Sequence, residues 1–305
     1  MIRRHPLRTA LVGIPIVITL AFGSLIALWL AGVSVPGASA ARWFTVTKTA
    51  NANYTPSPNK PVFLLAIGND GRPGDTITRG DAIHLIGINP VLHQATILDI
   101  PRDTGMDIPG QGVDKVNAAH ATGGARLEAD TIGATVGVSI PYTIDTDFDG
   151  FIGMVDDLGG LTVNVPVRMQ DKFSGADFQP GVQKLNGHQA LAYARNRHQW
   201  PTGDLARSEN QGFLILQALA QLRAENTGPI RTLGLLANLG RHSKLEGLGV
   251  SDLYTLGRLG LSVDVTQVRN VLVPVASGSG TRLQLTAAAT GLFQDFADDG
   301  VLQTH

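Results

Sequence analysis

Between Ala10 and Val35 the chain carries no charged side chain, and no other stretch restricts its structure as severely. In hydrocarbon every backbone N–H and C=O must find a partner within the chain, so an apolar run of this kind is expected to be one helix. Its twenty-six residues, at about 1.5 Å each, cross a layer of roughly 30 Å with some tilt. Arg3, Arg4 and Arg8 precede the run, and the preference for positive charge on the cytoplasmic side puts the N-terminus inside and everything after the span outside. A cleaved signal peptide is the competing reading, because "ASA" at 38–40 has the small-residue look of a cleavage site. The length of the run, well beyond the ~7 to 15 residues of a signal's apolar core, favours the anchor. The predicted layout is a cytoplasmic N-terminus (1–9), a transmembrane helix (10–35), an extracytoplasmic linker (36–60) and one catalytic domain (61–305), in a single-pass protein of the cell membrane.

Charged residues make up only 16% of the chain, against roughly 25% in soluble proteins, and the apolar run accounts for part of the deficit. A net charge of -1, no recognisable helix-turn-helix and an external domain all oppose nucleic acid as a partner. The absence of cysteine excludes disulfides, cysteine metal sites and cysteine nucleophiles. Residues 46–60, rich in Thr, Asn, Pro and Ser, read as a solvated tether. Beyond Pro61, "VFLLAIG" (62–68), "AIHLIGI" (82–88) and "ATILDI" (95–100) are short apolar strands bounded by turn formers. Phe151, Val155 and Leu158 recur at helical spacing, and "LTVNV" (161–165) follows as a strand. Arg207 to Arg223 reads as a helix with Leu214, Ile215, Leu219 and Leu222 on its apolar face, and "VRNVLVPV" (268–275) as a late strand. The predicted fold is α/β, a mixed α+β sandwich-like arrangement with a central sheet flanked by helices.

Polar chemistry gathers at the strand ends. Asp70 and Arg72 follow the first strand, Arg79 and Asp81 precede the second, and Arg102, Asp103 and Thr104 follow the third. Ligands of α/β sheets favour such loops, so Asp70 and Arg102 are expected to be neighbours. The stretch "YARNRHQWPTGDLAR" (193–207) adds Arg195, Arg197, His198 and Arg207. Guanidinium forks match phosphate oxygens two at a time, so clustered arginines mark an oxyanion ligand. Surface ion pairing with Asp204 and Glu209 is the alternative reading. With Arg207 opening a helix, Asn210 and Gln211 lie one turn on and extend a polar strip.

These residues sit within a series of motifs: "LLAIGNDGR" (64–72), "RGDA" (79–82), "IPRDT" (100–104), "IPGQGVDKVNAAHATGG" (108–124), "FDGFIGMVDDLGGLTVNVP" (148–166), "LNGHQALAYARNR" (185–197) and "GDLARSENQ" (203–211). In content and order the series resembles the LytR-CpsA-Psr family of cell-envelope phosphotransferases over nearly everything after residue 61. The resemblance implies transfer of a glycan phosphate from a polyprenyl-pyrophosphate carrier to a peptidoglycan hydroxyl, beside a lipid membrane. It implies that Asp70 and Asp81 hold a divalent cation, usually Mg²⁺, which suits carboxylates together with pyrophosphate oxygens. It further implies that Arg79, Arg102, Arg195, Arg197, Arg207 and Gln211 contact the pyrophosphate. Arg102, Asp103, Arg195 and Arg207 are the candidates for catalysis, since phosphoryl transfer is mostly positioning and charge stabilisation. The general base stays open among Asp70, Asp81 and Asp103; a cation beside a carboxylate lowers its basicity, which makes Asp103 the one to test.

Lys115 and Asn117 are candidates for polar ends of the substrate or for a turn, and His120 and His198 have no evident partner. Phe148, Phe151, Leu191 and the apolar residues of 213–222 are candidates for a lipid cavity, although ordinary core packing is the commoner use of such residues. The sequence departs from the family pattern at Asn69, Gly71, Gly80, Ala82 and Asn210, where serines, a threonine or an arginine are frequent. A non-catalytic polyprenyl-phosphate or glycan-binding module, and a pyrophosphatase acting on the same lipid, are the alternative functions.

Overall fold

The structure is a computed structural model that describes residues 44–50, 54–71, 75, 77–225, 243–278 and 280–303. The expected transmembrane helix lies outside the described residues. Among those residues no helix is long and apolar enough to cross a membrane.

The chain runs through β1 (Phe44–Lys48), β2 (Val62–Asn69), β3 (Gly80–Asn89) and β4 (Gln94–Asp99), then a hairpin of β5 (Gly105–Ile108) and β6 (Gly112–Lys115). Helix α1 (Val116–Val136), β7 (Tyr142–Thr146), α2 (Phe148–Asp157) and β8 (Leu161–Val165) follow. Next come β9 (Met169–Asp171), β10 (Ala176–Phe178), β11 (Gly181–Leu185), α3 (Gly187–Arg195) and α4 (Asp204–Glu225). The last part holds β12 (Ser243–Glu246), α5 (Val250–Ser262), β13 (Val268–Leu272), β14 (Val275–Ser277), β15 (Leu283–Leu285) and α6 (Ala287–Asp299). Seven strands form a mixed sheet in the order β12-β1-β7-β2-β3-β4-β13.

Three expectations need correction. The stretch assigned to the linker (36–60) contains β1, which pairs antiparallel with β7 and parallel with β12; Phe44, Val46 and Lys48 are buried at alternate positions, a period-two pattern that the polar Thr45, Thr47 and Lys48 disguise. The expected late strand is two strands, because Pro274 interrupts the run between β13 and β14, where a proline has no N–H to offer a ladder. The segment around Lys115 and Asn117, taken as a possible turn, opens α1. That helix bends at Gly124, whose φ of 66° lies where only glycine sits easily.

The two faces of the sheet are used differently. On one, Phe63, Leu65, Ile67, Ile83, Leu85 and Leu98 pack against Ala129, Ile132 and Val136 of α1 and Phe293 and Phe296 of α6. On the other, the alternate residues Leu64 and Ala66 of β2 and Ile86 and Ile88 of β3 line a cavity roofed from α2, α4 and α5. A second core joins the β8–β11 and β9–β10 hairpins to α3 and α4 through Val163, Met169, Phe178, Tyr193 and Leu214.

Candidate active site

The cavity has a volume of about 1010 Å³. Phe148, Phe151 and Met154 of α2, Leu191 of α3, and Leu214, Ile215, Ala218, Leu219 and Leu222 of α4 line it. Most of the candidates weighed between lipid cavity and ordinary core thus line the cavity; Phe213 instead packs on the second core. Pattern alone does not separate these uses, because a helix presents the same apolar stripe to a solid core and to a void.

At one end the apolar lining gives way to charge. Asp70, Asp81, Arg102, Arg195, Arg197, Arg207 and Gln211 all line this same cavity. Their placement follows from local structure. Helix α3 starts after Asn186 with a capping box closed by Gln189, carries Arg195 in its last turn, and leaves Arg197 just beyond its C-cap Asn196. Helix α4 begins with Asp204 in its first turn, where a carboxylate is favoured by the unpaired N–H groups. Arg207 and Gln211 stand three and seven residues on, along one face. Gln211 Nε2 donates to the carbonyl of Ala194 at 3.1 Å, tying the two helices together.

Asp204 is the centre of the charged end. Arg102 meets it through Nε at 3.0 Å and Nη2 at 2.8 Å, Arg197 through Nη1 at 2.6 Å and Arg207 through Nη2 at 3.3 Å. Arg102 also donates from Nη1 to Asp81 Oδ1 at 2.7 Å. Burial works against ionising Asp204, but the three guanidiniums outweigh it and hold the carboxyl below its ordinary value. Burial likewise pulls the Arg207 guanidinium down from its ordinary value, with Asp204 opposing. In Arg102 burial is outweighed by Asp81, Asp204 and Asp103, and the group is pushed up. Arg207 Nε and Gln211 Oε1 are buried with no hydrogen-bond partner among the described residues, a costly state that a bound oxyanion would relieve for the arginine donor and a water for the amide acceptor. Asp204 had entered the sequence reading only as a surface counter-ion; its hub position depends on Arg102, 102 residues away, which no local pattern reports.

Arg79 and Asp103 are not part of the lining. Arg79 is exposed, and it is its backbone N–H that reaches the site, donating to Asp70 Oδ1 at 2.8 Å. Asp103 is paired with Lys115 at 2.8 Å. Asp70 and Asp81 are suited to a divalent cation in one respect: both carboxylates border one cavity, with Oδ1 of each engaged in the bonds just described. Among the described residues no three His, Asp or Glu side chains gather into a protein-only metal cage. A cation held here would therefore draw further oxygens from substrate, as Mg²⁺ commonly does.

Behind β3 lies a second polar cluster that the sequence reading missed. Glu128 of α1 is fully buried, and neither carboxylate oxygen has a partner among the described residues. Burial lifts it to about 8. Nearby, His120 contacts Asp145 Oδ2 through Nε2 at 3.2 Å and the Thr78 carbonyl through Nδ1 at 3.0 Å. Burial opposes protonation of His120, but Asp145 prevails and raises it to about 9. Asn69 donates to Asp145 Oδ1 at 2.7 Å and accepts from the Gly71 N–H at 2.9 Å. Two departures from the family pattern find a reason here. A Cβ on Gly80 would stand 2.6 Å from Glu128 Oε1, and one on Gly71 would stand 2.7 Å from Asn69 Oδ1.

The LytR_cpsA_psr family model matches residues 37–290. The polyisoprenyl-teichoic acid–peptidoglycan teichoic acid transferase TagU of Bacillus subtilis is 34% identical over 174 residues, 56% of each chain. The protein of the same name from Enterococcus faecalis is 35% identical over 210 residues, 64% of this chain and 67% of its own. The chain spans about half the length of the first of these curated relatives. Among solved structures, a LytR-Csp2A-Psr enzyme from Actinomyces oris superposes with a TM-score of 0.65 at 21% identity, over 84% of this chain and 95% of its own. The family protein YwtF (TagT) with bound octaprenyl pyrophosphate lipid superposes with a TM-score of 0.60 at 22% identity, over 82% of this chain and 95% of its own. These structural likenesses speak to the fold.

Proposed function

The chain belongs to the LytR-CpsA-Psr family, and from that premise we propose that it is a phosphotransferase moving a glycan phosphate from a polyprenyl-pyrophosphate carrier onto a peptidoglycan hydroxyl. The polyprenyl monophosphate is the leaving group, and a cell-wall polymer is attached. One observation carries the reading: a large apolar cavity opens at one end onto Arg102, Arg195, Arg197 and Arg207. An apolar chain ending in a dianionic head matches that division. A relative named for teichoic acid transfer and a family structure with octaprenyl pyrophosphate bound support it.

In this reading the chain's residues act mainly by position and charge. Asp204 holds Arg102, Arg197 and Arg207 with their forks already gathered, so little reorganisation accompanies substrate entry. Arg207 Nε and Gln211 Oε1 lack partners among the described residues; a phosphate oxygen would accept from the first, and a water would donate to the second. Asp70 and Asp81 are the residues that would hold Mg²⁺, whose contribution when bound is to neutralise pyrophosphate oxygens. All three carboxylates considered for proton removal are engaged, Asp103 by Lys115, Asp81 by Arg102 and Asp70 by the Arg79 N–H, and Asp70 and Asp81 would be less basic still beside a cation. The uncharged run of 10–35 supports a single membrane anchor with the domain outside the cytoplasm.

The test uses full-length protein in detergent micelles with a glycan-bearing polyprenyl pyrophosphate, Mg²⁺ and peptidoglycan fragments. Transfer that requires both cation and acceptor, and that Asp81→Ala abolishes, is expected. Release of the glycan phosphate to water in the absence of acceptor at an equal rate would indicate a pyrophosphatase. Binding without turnover, indifferent to Asp81→Ala, would indicate a carrier-binding module.

A further inference from the structure

Phe173 is an anomaly at the mouth of the cavity. It is 64% exposed, yet its place is fixed on both sides. Its backbone N–H donates to Asp171 Oδ1 at 2.9 Å. Its ring lies 4.5 Å from the His198 ring, centre to centre, with the planes tilted 44°. Both rings line the same cavity as Arg195 and Arg197.

Asp171 makes this arrangement rigid. It is 4% exposed, and its Oδ2 accepts from the backbone N–H of Arg197 at 3.3 Å and of His198 at 3.2 Å, and meets His198 Nδ1 at 2.9 Å. One buried carboxylate thus fixes the aromatic pair and the backbone of an arginine of the charged end. Exposing a phenyl ring on so firmly held a turn forgoes the stabilisation its burial would give. Folding alone gives no reason for that.

We propose that Phe173, backed by His198, is a stacking platform for a pyranose ring lying next to the phosphate subsite. The C–H-bearing face of a pyranose is apolar and faintly positive, and an aromatic face is negative, so the two attract beyond simple area burial. The exposed Lys172 holds its Nζ over the Phe173 ring, 5.1 Å from the centre; a stacking sugar takes the place of this ammonium on the ring face and leaves it at the rim as a donor to the sugar's hydroxyls. The position suits the first sugar of the carrier-linked glycan or a sugar of the acceptor. The inference rests on the transfer reading above, which supplies a sugar on either side of the phosphate.

The experiment compares full-length wild type with Phe173→Ala, Phe173→Leu and Phe173→Trp. Leucine keeps the apolar bulk without the π-face; tryptophan keeps the face. Binding is measured for sugar-free octaprenyl pyrophosphate and for the same lipid bearing one hexopyranose, and KM is measured for soluble peptidoglycan fragments. Wild type and Phe173→Trp are expected to prefer the sugar-bearing lipid by about three- to tenfold. Phe173→Ala and Phe173→Leu should lose that preference while holding the sugar-free lipid as wild type does. Loss expressed instead as a raised KM for peptidoglycan fragments would place an acceptor sugar on the platform. If Ala and Leu change neither quantity, the platform is refuted. Failure of wild type to hold the sugar-free lipid would strike the proposed function, and that arm contains no sugar to confuse the two.

Discussion

Gly212 of α4 lies directly on the carboxylate of Asp99: a Cβ at residue 212 would stand 2.2 Å from Asp99 Oδ1 and 2.2 Å from Asn270 Oδ1. Asp99 is wholly buried and bonded to His84 Nδ1 at 2.7 Å. The helix bearing Arg207 and Gln211 is thus seated against a polar floor of β3, β4 and β13 with no room for one more carbon.

Gly212→Ala is therefore expected to push α4 away from the sheet. The overpacking costs about 1 to 3 kcal/mol of stability, and a shift of Arg207 by about 1 Å costs on the order of 10²-fold in transfer. Thermal unfolding and kcat of the variant check this. Combining it with Asp99→Ala and Asn270→Ala, which remove both oxygens the added carbon strikes, should recover part of the loss in kcat, because the clash and these two side chains are one site and do not add independently.

Asp204→Ala removes the carboxylate shared by Arg102, Arg197 and Arg207. The cavity end then becomes more positive while its forks lose their common anchor. Affinity for the pyrophosphate lipid is expected to hold or improve, and kcat to fall about tenfold or more. Separate measurement of lipid binding and single-turnover rate decides it; a weaker lipid affinity with unchanged kcat would mean that Asp204 serves binding alone.

These two relationships show which parts of the molecule were legible in the sequence. The strands around Leu65, Leu85 and Leu98 and the helix carrying Leu214 were readable, because burial on a sheet face or a helix stripe leaves a period of its own. Seven of the charged or amide candidates, Asp70, Asp81, Arg102, Arg195, Arg197, Arg207 and Gln211, do share a cavity. Arg79 and Asp103 stand apart from it for a local reason. Arg79 lies immediately before β3 with its side chain outward and its N–H turned to Asp70, and Asp103 is drawn to Lys115. Pairing of Asp204 with Arg197 and Arg207 was legible as local ion pairing, but its reach to Arg102, the burial of Glu128 beside His120 and the seat of Gly212 were not, since each joins residues far apart in sequence through contacts that only the folded sheet creates. Nor does periodicity tell a filled core from the hollow between Ile86 and Leu219.

Glu128→Gln is expected to stabilise the protein at neutral and alkaline pH. In the folded chain Glu128 titrates near 8, against 4.5 as its ordinary value. Between those values the folded chain keeps a proton that the unfolded chain has released, so stability falls as pH rises through this window. His120 adds a loss of the same sign between 6.5 and about 9. The uncharged amide removes the first component and leaves the second. Unfolding in urea across pH 5 to 9 should show the variant gaining on wild type by on the order of 1 to 3 kcal/mol toward pH 8, with the two converging near pH 5.

Ala66→Phe and Ala218→Phe test the cavity from opposite walls, β2 and α4. Each adds a ring to empty apolar space, so the fold should tolerate it and the melting temperature should hold or rise. The charged end is untouched by either change. Affinity for a short geranyl pyrophosphate should therefore stay at the wild-type level, because its head and its few carbons fit before the obstruction. A long polyprenyl chain would lose room for roughly one isoprene unit, worth on the order of 3 kcal/mol at about 0.8 kcal/mol per buried methylene. About a hundredfold weaker binding of octaprenyl pyrophosphate follows. Equal effects on the short and the long lipid would mean that the prenyl chain does not occupy this cavity, even if the arginines grip its head.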